Sequence, residues 1–311
     1  MNMIIVTTCS NRKRFKPSQD LKARNLAYDD LCNVAQDWSK RTEVATEKVL
    51  AGDLYCGRGF REAEIAAKYL GQKPWVISAG LGVLCHDTLV PAYDLTLSRS
   101  SDDCVFKYVK GKKSPSDWWE AMALQRQTPN PLSRLVKNNP NTMILIACSG
   151  AYTNLIANDL LSLPEEDLLR IRIFGPQNLD KTPEKIRSLI MPYDARFDGP
   201  NSPLPGTKAD FSQRVLRYFV ETTAQTTNNI YDPKHHATLV EELQANWRPI
   251  EKIDREKKTD EEILGIIESL WMQAQGSSAK MLRILRDQEK IACEQGRFAA
   301  LFRVAKERYT L

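Results

Sequence analysis

The sequence predicts an α/β protein with a mixed or largely parallel sheet flanked by helices, followed by an all-helical C-terminal domain. Four short apolar runs are typical of strands: residues 3–6, 75–78, 143–147 and 171–174. Each run is continuously apolar, which favours strands covered on both faces. Helical patterns alternate with them at residues 21–40, 61–70, 151–161 and 210–222. This alternation indicates a layered α/β fold.

Polar and turn-rich segments predict the domain organisation. Residues 194–207 are rich in Gly and Pro and are expected to form an irregular loop. Residues 222–233 are polar and turn-rich, which places the boundary between an α/β domain over residues 1–225 and a helical domain over residues 234–311. In the second domain, Thr259 and Glu262 form a capping signal. Helices are expected at 259–272, 279–287 and 294–308.

Composition limits the class of protein. The chain has 311 residues, 42% hydrophobic and 27% charged, a balance that allows a packed core. No apolar stretch reaches the length of a membrane span, and the apolar N-terminus is too short for a signal peptide. We therefore expect a cytoplasmic protein without a membrane partner. Seven scattered cysteines without a Cys-x-x-Cys pair, and three histidines, argue against a disulfide framework and a metal site. No cofactor is expected.

Positive charge is concentrated near the C-terminus. The net charge is +5, and from Gly276 onward eight Lys and Arg stand against four Asp and Glu. Such clustering is typical of a phosphate-binding surface, although a solvated helix face has the same pattern. A helix-turn-helix or another small helical bundle would fit the final helices. The expected phosphate contacts are Lys280, Arg297, Arg303 and Lys306.

Small and polar residues follow the strand-like runs in four segments. Open α/β sheets bind ligands at the carboxyl ends of their strands, so we expect these segments to line one pocket. A polar strand exit without a ligand is the alternative. The candidate residues are Cys9, Ser10 and Lys13 in the first segment, Tyr55 and Gly57 in the second, Ser78, Gly80, Tyr93 and Asp94 in the third, and Cys148, Ser149 and Tyr152 in the fourth.

The order of these segments resembles the YaaA-like superfamily. Residues 77–97 resemble the family signature, in which a Ser-containing strand end runs into Gly-Val/Leu-Leu and then Pro-Tyr. The other matches are Ser10 with Lys13 to Ser-x-x-Lys, Tyr55 with Gly57 to Tyr-x-Gly, and Ser149 with Tyr152 to Ser-x-x-Tyr. A weaker match is Lys208, Phe211 and Arg214 on a late basic helix. The resemblance covers residues 1–225.

The resemblance implies a YaaA-like fold. It also implies that the protein binds DNA, through contacts with the phosphate backbone and with a modified guanine base. Family members are associated with DNA binding and oxidative stress. A subset, the DpdC-type proteins, accompanies the enzymes that place 7-deazaguanines in DNA, and is linked to converting a 7-cyano into a 7-amido group. Other DNA-modification enzymes are then possible partners. Lys208 and Arg214 are expected to contact DNA.

Thiols beside three of the motifs, and the extra helical domain, depart from the plain family pattern and favour an enzyme. A nitrile carbon can be attacked by a soft nucleophile. We expect Cys9 to attack, Lys13 to favour its thiolate form, and Tyr93 or Asp94 to move protons. Attack by Cys148 or by water remains open, as does a purely structural role for each cysteine. The alternatives are a non-catalytic DNA-binding or stress protein, and a base-excising or nucleotide-hydrolysing enzyme.

Overall fold

A computed structural model describes residues 2–176, 178–179, 182–223, 232–250 and 254–309. The chain divides into two compact units, Met1–Ile250 and Glu251–Leu311. The first unit is built on a mixed sheet, and the second is helical. Within the described ranges, no helix is long and apolar enough to cross a membrane.

The first unit contains a five-stranded sheet in the order β4-β3-β1-β6-β7 and a separate two-stranded pair, β2 with β5. The strands are β1 Asn2–Thr8, β2 Val49–Leu50, β3 Trp75–Ser78, β4 Gly82–Leu84, β5 Leu89–Val90, β6 Thr142–Ala147 and β7 Ile171–Phe174. Within the five-stranded sheet, β3, β1, β6 and β7 run parallel to one another, and β4 is antiparallel to β3. The four predicted strands and the largely parallel sheet are confirmed.

Helices precede, separate and follow these strands. In the first unit they are α1 Leu31–Val44, α2 Ala51–Leu54, α3 Arg58–Tyr69, α4 Pro115–Gln125, α5 Pro131–Lys137, α6 Gly150–Leu155, α7 Ala157–Leu161, α8 Glu165–Leu168, α9 Glu184–Arg187, α10 Phe211–Thr223 and α11 Pro233–Gln244. In the second unit they are α12 Asp260–Ser269, α13 Trp271–Ala274, α14 Ser278–Arg283 and α15 Gln295–Tyr309.

Both faces of the central strands are buried, as their continuous apolar sequences predict. In β6, Ile144 and Ile146 belong to one core cluster, which includes residues of α1, α4 and α5. Met143 and Leu145 point to a second cluster, which includes residues of α3, α10 and α11. Alternate side chains of one strand therefore hold helices on opposite faces of the sheet.

Two predicted helices differ from the observed ones. The helix predicted over residues 21–40 begins at Leu31, because the chain before it pairs with an extended segment. There the Asp94 N–H donates to the Leu21 carbonyl at 2.8 Å, and the Ala23 N–H donates to the Asp94 carbonyl at 2.7 Å. The helix predicted over residues 151–161 is interrupted at Ile156.

Helix α11 lies in the first unit, so the second unit begins later than the helical domain predicted from residue 234. Val240 is fully buried in the second core cluster. The Gln244 side chain donates to the Pro192 carbonyl at 3.1 Å and accepts from the Asp194 N–H at 3.3 Å. Much of the predicted boundary, residues 224–231, lies outside the described residues.

The second unit has its own core. Thr259 and Glu262 form the predicted capping box at the start of α12. Ile284–Gln288 continues α14 as a π-helical turn before the chain reaches α15. Phe298 and Phe302 of α15 are buried, and Trp271 stacks on Phe302 with ring centroids 5.1 Å apart. The sequence pattern therefore predicted the helices of this unit closely.

Candidate functional site

The carboxyl ends of β1, β3 and β6 lie at one edge of the sheet, because these strands are parallel neighbours. The Cys9 N–H donates to the Ile77 carbonyl at 2.9 Å, so the loop after β1 starts against β3. At this edge the structure gathers six side chains that we call the thiol–tyrosine cluster. Its members are Cys9, Lys13, Tyr55, Ser78, Tyr93 and Tyr152.

Ser10 joins the first segment to the second. Its hydroxyl donates to the Cys56 carbonyl at 2.7 Å and accepts from the Cys56 N–H at 3.3 Å. A bridge between Lys13 and Tyr55 continues the pairing. Gly57 then turns the chain into α3 with a φ of +114°, which favours glycine. Ser10 and Gly57 therefore hold the loops in place, and their contact with substrate remains a prediction.

A buried hydroxyl network lies in the interior of the cluster. The Tyr93 hydroxyl is 2.6 Å from Ser78 Oγ and 3.1 Å from the Tyr55 hydroxyl. Ser78 Oγ also accepts from the Leu81 N–H at 3.0 Å, which leaves its own proton for Tyr93. Burial raises the pKa of both tyrosine hydroxyls well above the ordinary value. The tyrosine hydroxyls of the network therefore remain protonated and uncharged at neutral pH.

Cys9 stands at the half-buried end of the cluster. Its Sγ is 3.0 Å from the Tyr152 hydroxyl. The Ala79 N–H donates to that hydroxyl, so Tyr152 has its proton free to donate to the sulfur. Burial raises the pKa of Tyr152 well above its ordinary value, so the hydroxyl remains a donor at neutral pH. This contact places a hydrogen-bond donor directly against the Cys9 sulfur.

Lys13 supplies the positive charge of the cluster. Its Nζ lies 4.4 Å from the centroid of the Tyr93 ring, a cation–π distance. Burial lowers the pKa of Lys13, and the charges of Cys9 and Asp94 oppose that shift. The amine can therefore give up and regain a proton more readily than an exposed lysine, which suits proton transfer.

Asp94 acts on the cluster through charge. Its backbone anchors the segment around Leu21 and Ala23, and its half-buried carboxylate lies within electrostatic range of Lys13. Asp94 therefore lies near Lys13 as a countercharge that opposes the loss of its proton.

Gly80 faces packed side chains. A Cβ added there would lie 3.0 Å from Tyr93 Cε2 and 3.2 Å from Trp38 Nε1. The Gly80 carbonyl accepts from Trp38 at 2.8 Å, and the Ala79 carbonyl accepts from Trp118 at 2.7 Å. Tyr93 and Trp38 therefore fill the space beside Gly80, which leaves no room there for the ligand contact that the sequence predicted.

Cys148 and Ser149 lie apart from the cluster. Cys148 is fully buried in the core, where its Sγ lies 3.3 Å from Thr153 Oγ1. Burial raises the pKa of its thiol to about 12. It is therefore a small core residue and neither a nucleophile at neutral pH nor a contact for substrate. Ser149 is exposed, and its carbonyl accepts from the Tyr152 N–H at the start of α6.

Sequence reasoning missed Arg126, which approaches the cluster from α4. Its Nη2 donates to Thr42 Oγ1 at 2.7 Å and contacts the Gly80 carbonyl at 3.4 Å. The guanidinium also lies within electrostatic range of Tyr55 and Tyr93. No motif surrounds it, since it follows a helix in a part of the chain without strand signals.

Arg214 is an internal residue of the first unit. It is 1% exposed, pairs with Asp198 and Asp210, and donates to the Leu204 carbonyl. A guanidinium so enclosed has no face for a phosphate, so its predicted contact with DNA is wrong. Lys208, predicted with it, is exposed.

Arg297 in the second unit is also engaged internally. Its Nε donates to Asp260 at 2.6 Å, and its Nη2 donates to the Lys258 carbonyl. Residues 251–311 contain twelve Lys and Arg against eleven Asp and Glu, so the acidic start of this unit nearly cancels its basic end. Lys280, Arg303 and Lys306 are exposed, and their contact with DNA remains a prediction.

The described residues contain no group of three or more His, Cys, Asp and Glu side chains placed to hold a metal ion. A cleft of about 920 Å³ is lined by sequence neighbours of the cluster, Phe15 and Lys16 after Lys13 and Ala92 before Tyr93. No family model, curated protein or solved structure matches this chain.

Proposed function

We propose that this chain is a thiol-dependent enzyme of DNA modification that hydrates the nitrile of a 7-cyano-7-deazaguanine base to an amide. The observation that carries the proposal is the contact between Cys9 Sγ and the Tyr152 hydroxyl, 3.0 Å long, beside the desolvated amine of Lys13. A nucleophile, a hydroxyl donor and a proton-exchanging amine are the groups that addition to an electrophilic carbon requires.

In the first step, the Cys9 thiolate adds to the nitrile carbon. One C–N π bond breaks, and the nitrogen takes a proton from the Lys13 ammonium, which gives a neutral thioimidate. Donation from Tyr152 keeps the sulfur in position before attack. Lys13 is the better donor of the two, because burial lowers its pKa and raises that of Tyr152.

In the second step, water adds to the thioimidate carbon while the Lys13 amine takes its proton and returns it to the nitrogen. The tetrahedral adduct then loses the hydroxyl proton to Lys13, and the C–S bond breaks. The products are the amide, the Cys9 thiolate and the Lys13 ammonium. One water is consumed, and the step needs neither an oxidant nor a reductant.

The choice of substrate rests on the resemblance of residues 1–225 to the YaaA-like superfamily. The geometry itself supports thiol addition to an electrophilic carbon. Cys9 and Tyr152 are both half-buried, and we expect the substrate carbon to approach the sulfur from the exposed side of Cys9.

Mass spectrometry of nucleosides from cyano-modified DNA tests the proposal. Incubation with the protein should add the mass of one water, and Cys9→Ala should abolish the gain. Cys32→Ala is the matched control, because Cys32 is an exposed thiol on α1. Full turnover by Cys9→Ala would shift the mechanism to activated water. Unchanged nucleosides would favour the non-catalytic binding protein, and release of a free base would favour the base-excising alternative.

A further inference from the structure

An exposed basic loop with one aromatic residue follows β1 directly. Residues 12–16 read Arg-Lys-Arg-Phe-Lys. Lys13 turns toward the Tyr93 ring, whereas Arg12, Arg14 and Lys16 are exposed. The Phe15 side chain between them is 46% exposed. Phe15 therefore presents an aromatic ring to solvent within a run of exposed cations.

The start of α3 adds cations to the same surface. Arg12 packs on Gly57, since a Cβ added to that glycine would lie 3.8 Å from Arg12 Cδ. Arg58 and Arg61 follow on the first turn of α3, and both are exposed. Among the described residues, only one of the five cations Arg12, Arg14, Lys16, Arg58 and Arg61 has a carboxylate within ion-pair distance. It is Arg58, whose side chain lies 3.4 Å from that of Asp210.

The cleft of about 920 Å³ begins beside this loop. Phe15 and Lys16 line it together with Lys48. Asp20 and Glu47 line it too, so the cleft is mixed in charge. It therefore suits a neutral planar group against Phe15 better than a phosphate, and the unpaired cations lie on the loop and on α3.

We propose that Arg12, Arg14, Phe15, Lys16, Arg58 and Arg61 form a binding surface for single-stranded DNA beside the thiol–tyrosine cluster. Cations that track the backbone and an aromatic ring that stacks on a base are the general means of binding single strands. A duplex hides the base faces that Phe15 would meet. The choice of DNA rests on the proposed function, in which chemistry on a base requires that the base leave its stack.

Fluorescence anisotropy with an oligodeoxythymidylate of about 12 nucleotides measures the binding. The triple variant Arg12→Gln/Arg14→Gln/Lys16→Gln should lose at least tenfold in affinity. Each phosphate contact on single strands contributes a salt slope of about −0.7, so the slope should flatten by about 2. The matched control is Lys257→Gln/Arg283→Gln/Lys290→Gln, which removes three exposed cations of the second unit that are not among the predicted DNA contacts, and it should bind like the parent protein.

Phe15 gives a second readout. Phe15→Ala should weaken binding about tenfold without changing the salt slope, because stacking releases no counterions. Phe15→Trp should restore it. Arg14 also donates to the Asp53 carbonyl at 2.9 Å, so Arg58→Gln/Arg61→Gln tests the surface without touching that contact.

The triple variant of Arg12, Arg14 and Lys16 and the double variant of Arg58 and Arg61 are the rim variants. The affinity and salt slope of the parent protein in both of them would overturn the proposal. Loss of binding only in the second-unit control would place the binding surface on the second unit. The proposed function is tested separately by hydration of a 7-cyano-7-deazaguanine nucleoside, which has no phosphate backbone. Hydration with unaltered DNA binding by the rim variants would overturn the surface alone. Weakened binding by those variants with no hydration would overturn the reaction and leave the surface standing.

Discussion

At the scale of single residues, the hydroxyl of Tyr152 is the group whose removal is most informative. Tyr152→Phe removes the donor 3.0 Å from Cys9 Sγ and keeps the ring. Alkylation of Cys9 by iodoacetamide at neutral pH should slow about tenfold, because the reacting sulfur loses a neighbouring hydrogen-bond donor. Tyr108→Phe is the control, since that hydroxyl donates to the Asp102 carbonyl. Equal alkylation rates in the two variants would contradict the assignment.

Lys13 allows charge and proton transfer to be separated. Lys13→Arg keeps a positive charge near Cys9 but cannot release a proton near neutral pH. Alkylation of Cys9 should therefore persist, whereas nitrile hydration should fall by about 10² to 10⁴, the usual contribution of general acid–base catalysis. Rates of alkylation and turnover measured on the same preparation check this. Retained turnover would assign the proton transfers to another group.

At the scale of elements, the sequence predicted the strands, and the sheet edge at which the site lies, better than it predicted which side chains form the site. Continuous apolar runs such as residues 143–147 mark strands reliably because both faces are buried. Position after a strand end also pointed to Cys9 and Tyr152, and the Tyr-x-Gly and Pro-Tyr motifs pointed to Tyr55 and Tyr93. The same rule misplaced Cys148, because it does not say whether a side chain turns to the core or to the edge. Arg126 was missed because only tertiary packing brings it to Tyr93.

Helix α11 makes a pH-dependent contact with β7. His236 is fully buried, and its Nδ1 accepts from Arg172 Nε at 2.9 Å. Burial, and then the charge of Arg172, lowers the pKa of His236 to about 4. Below pH 6.5 the unfolded chain takes up a proton that the folded chain refuses, so stability should fall as the pH drops from about 6.5 to about 4. The loss is roughly 3 kcal/mol at most.

Denaturant unfolding of His236→Gln across that range checks this contribution. The free energy of unfolding of the variant should fall less between about pH 6.5 and about pH 4 than that of the parent protein, although the variant is less stable overall. The control is His235→Gln, which removes an exposed neighbour and should keep the parent dependence. Identical pH slopes in the two variants would contradict a neutral, buried His236.

At the scale of the whole molecule, the two units have separate cores and different charge arrangements. Among the described residues, Arg12, Arg14 and Lys16 of the first unit have no carboxylate within ion-pair distance. The second unit uses Arg297 and Arg308 to join α15 to the α12 region, through Asp260 and Glu268. These two arginines therefore stabilise the fold of the second unit itself.

The core of the second unit should be sensitive to a single large deletion. Phe298 is 2% exposed, and Phe298→Ala costs about 3 to 5 kcal/mol in a packed core. The free energy of unfolding of so small a unit is rarely larger than this loss, so the second unit should unfold in the variant. Thermal unfolding of the full chain, followed by helical circular dichroism, should lose one transition and retain that of the first unit. Val304→Ala, at a residue 40% exposed, should retain both. A single transition that moves as a whole in Phe298→Ala would show instead that the two cores unfold together.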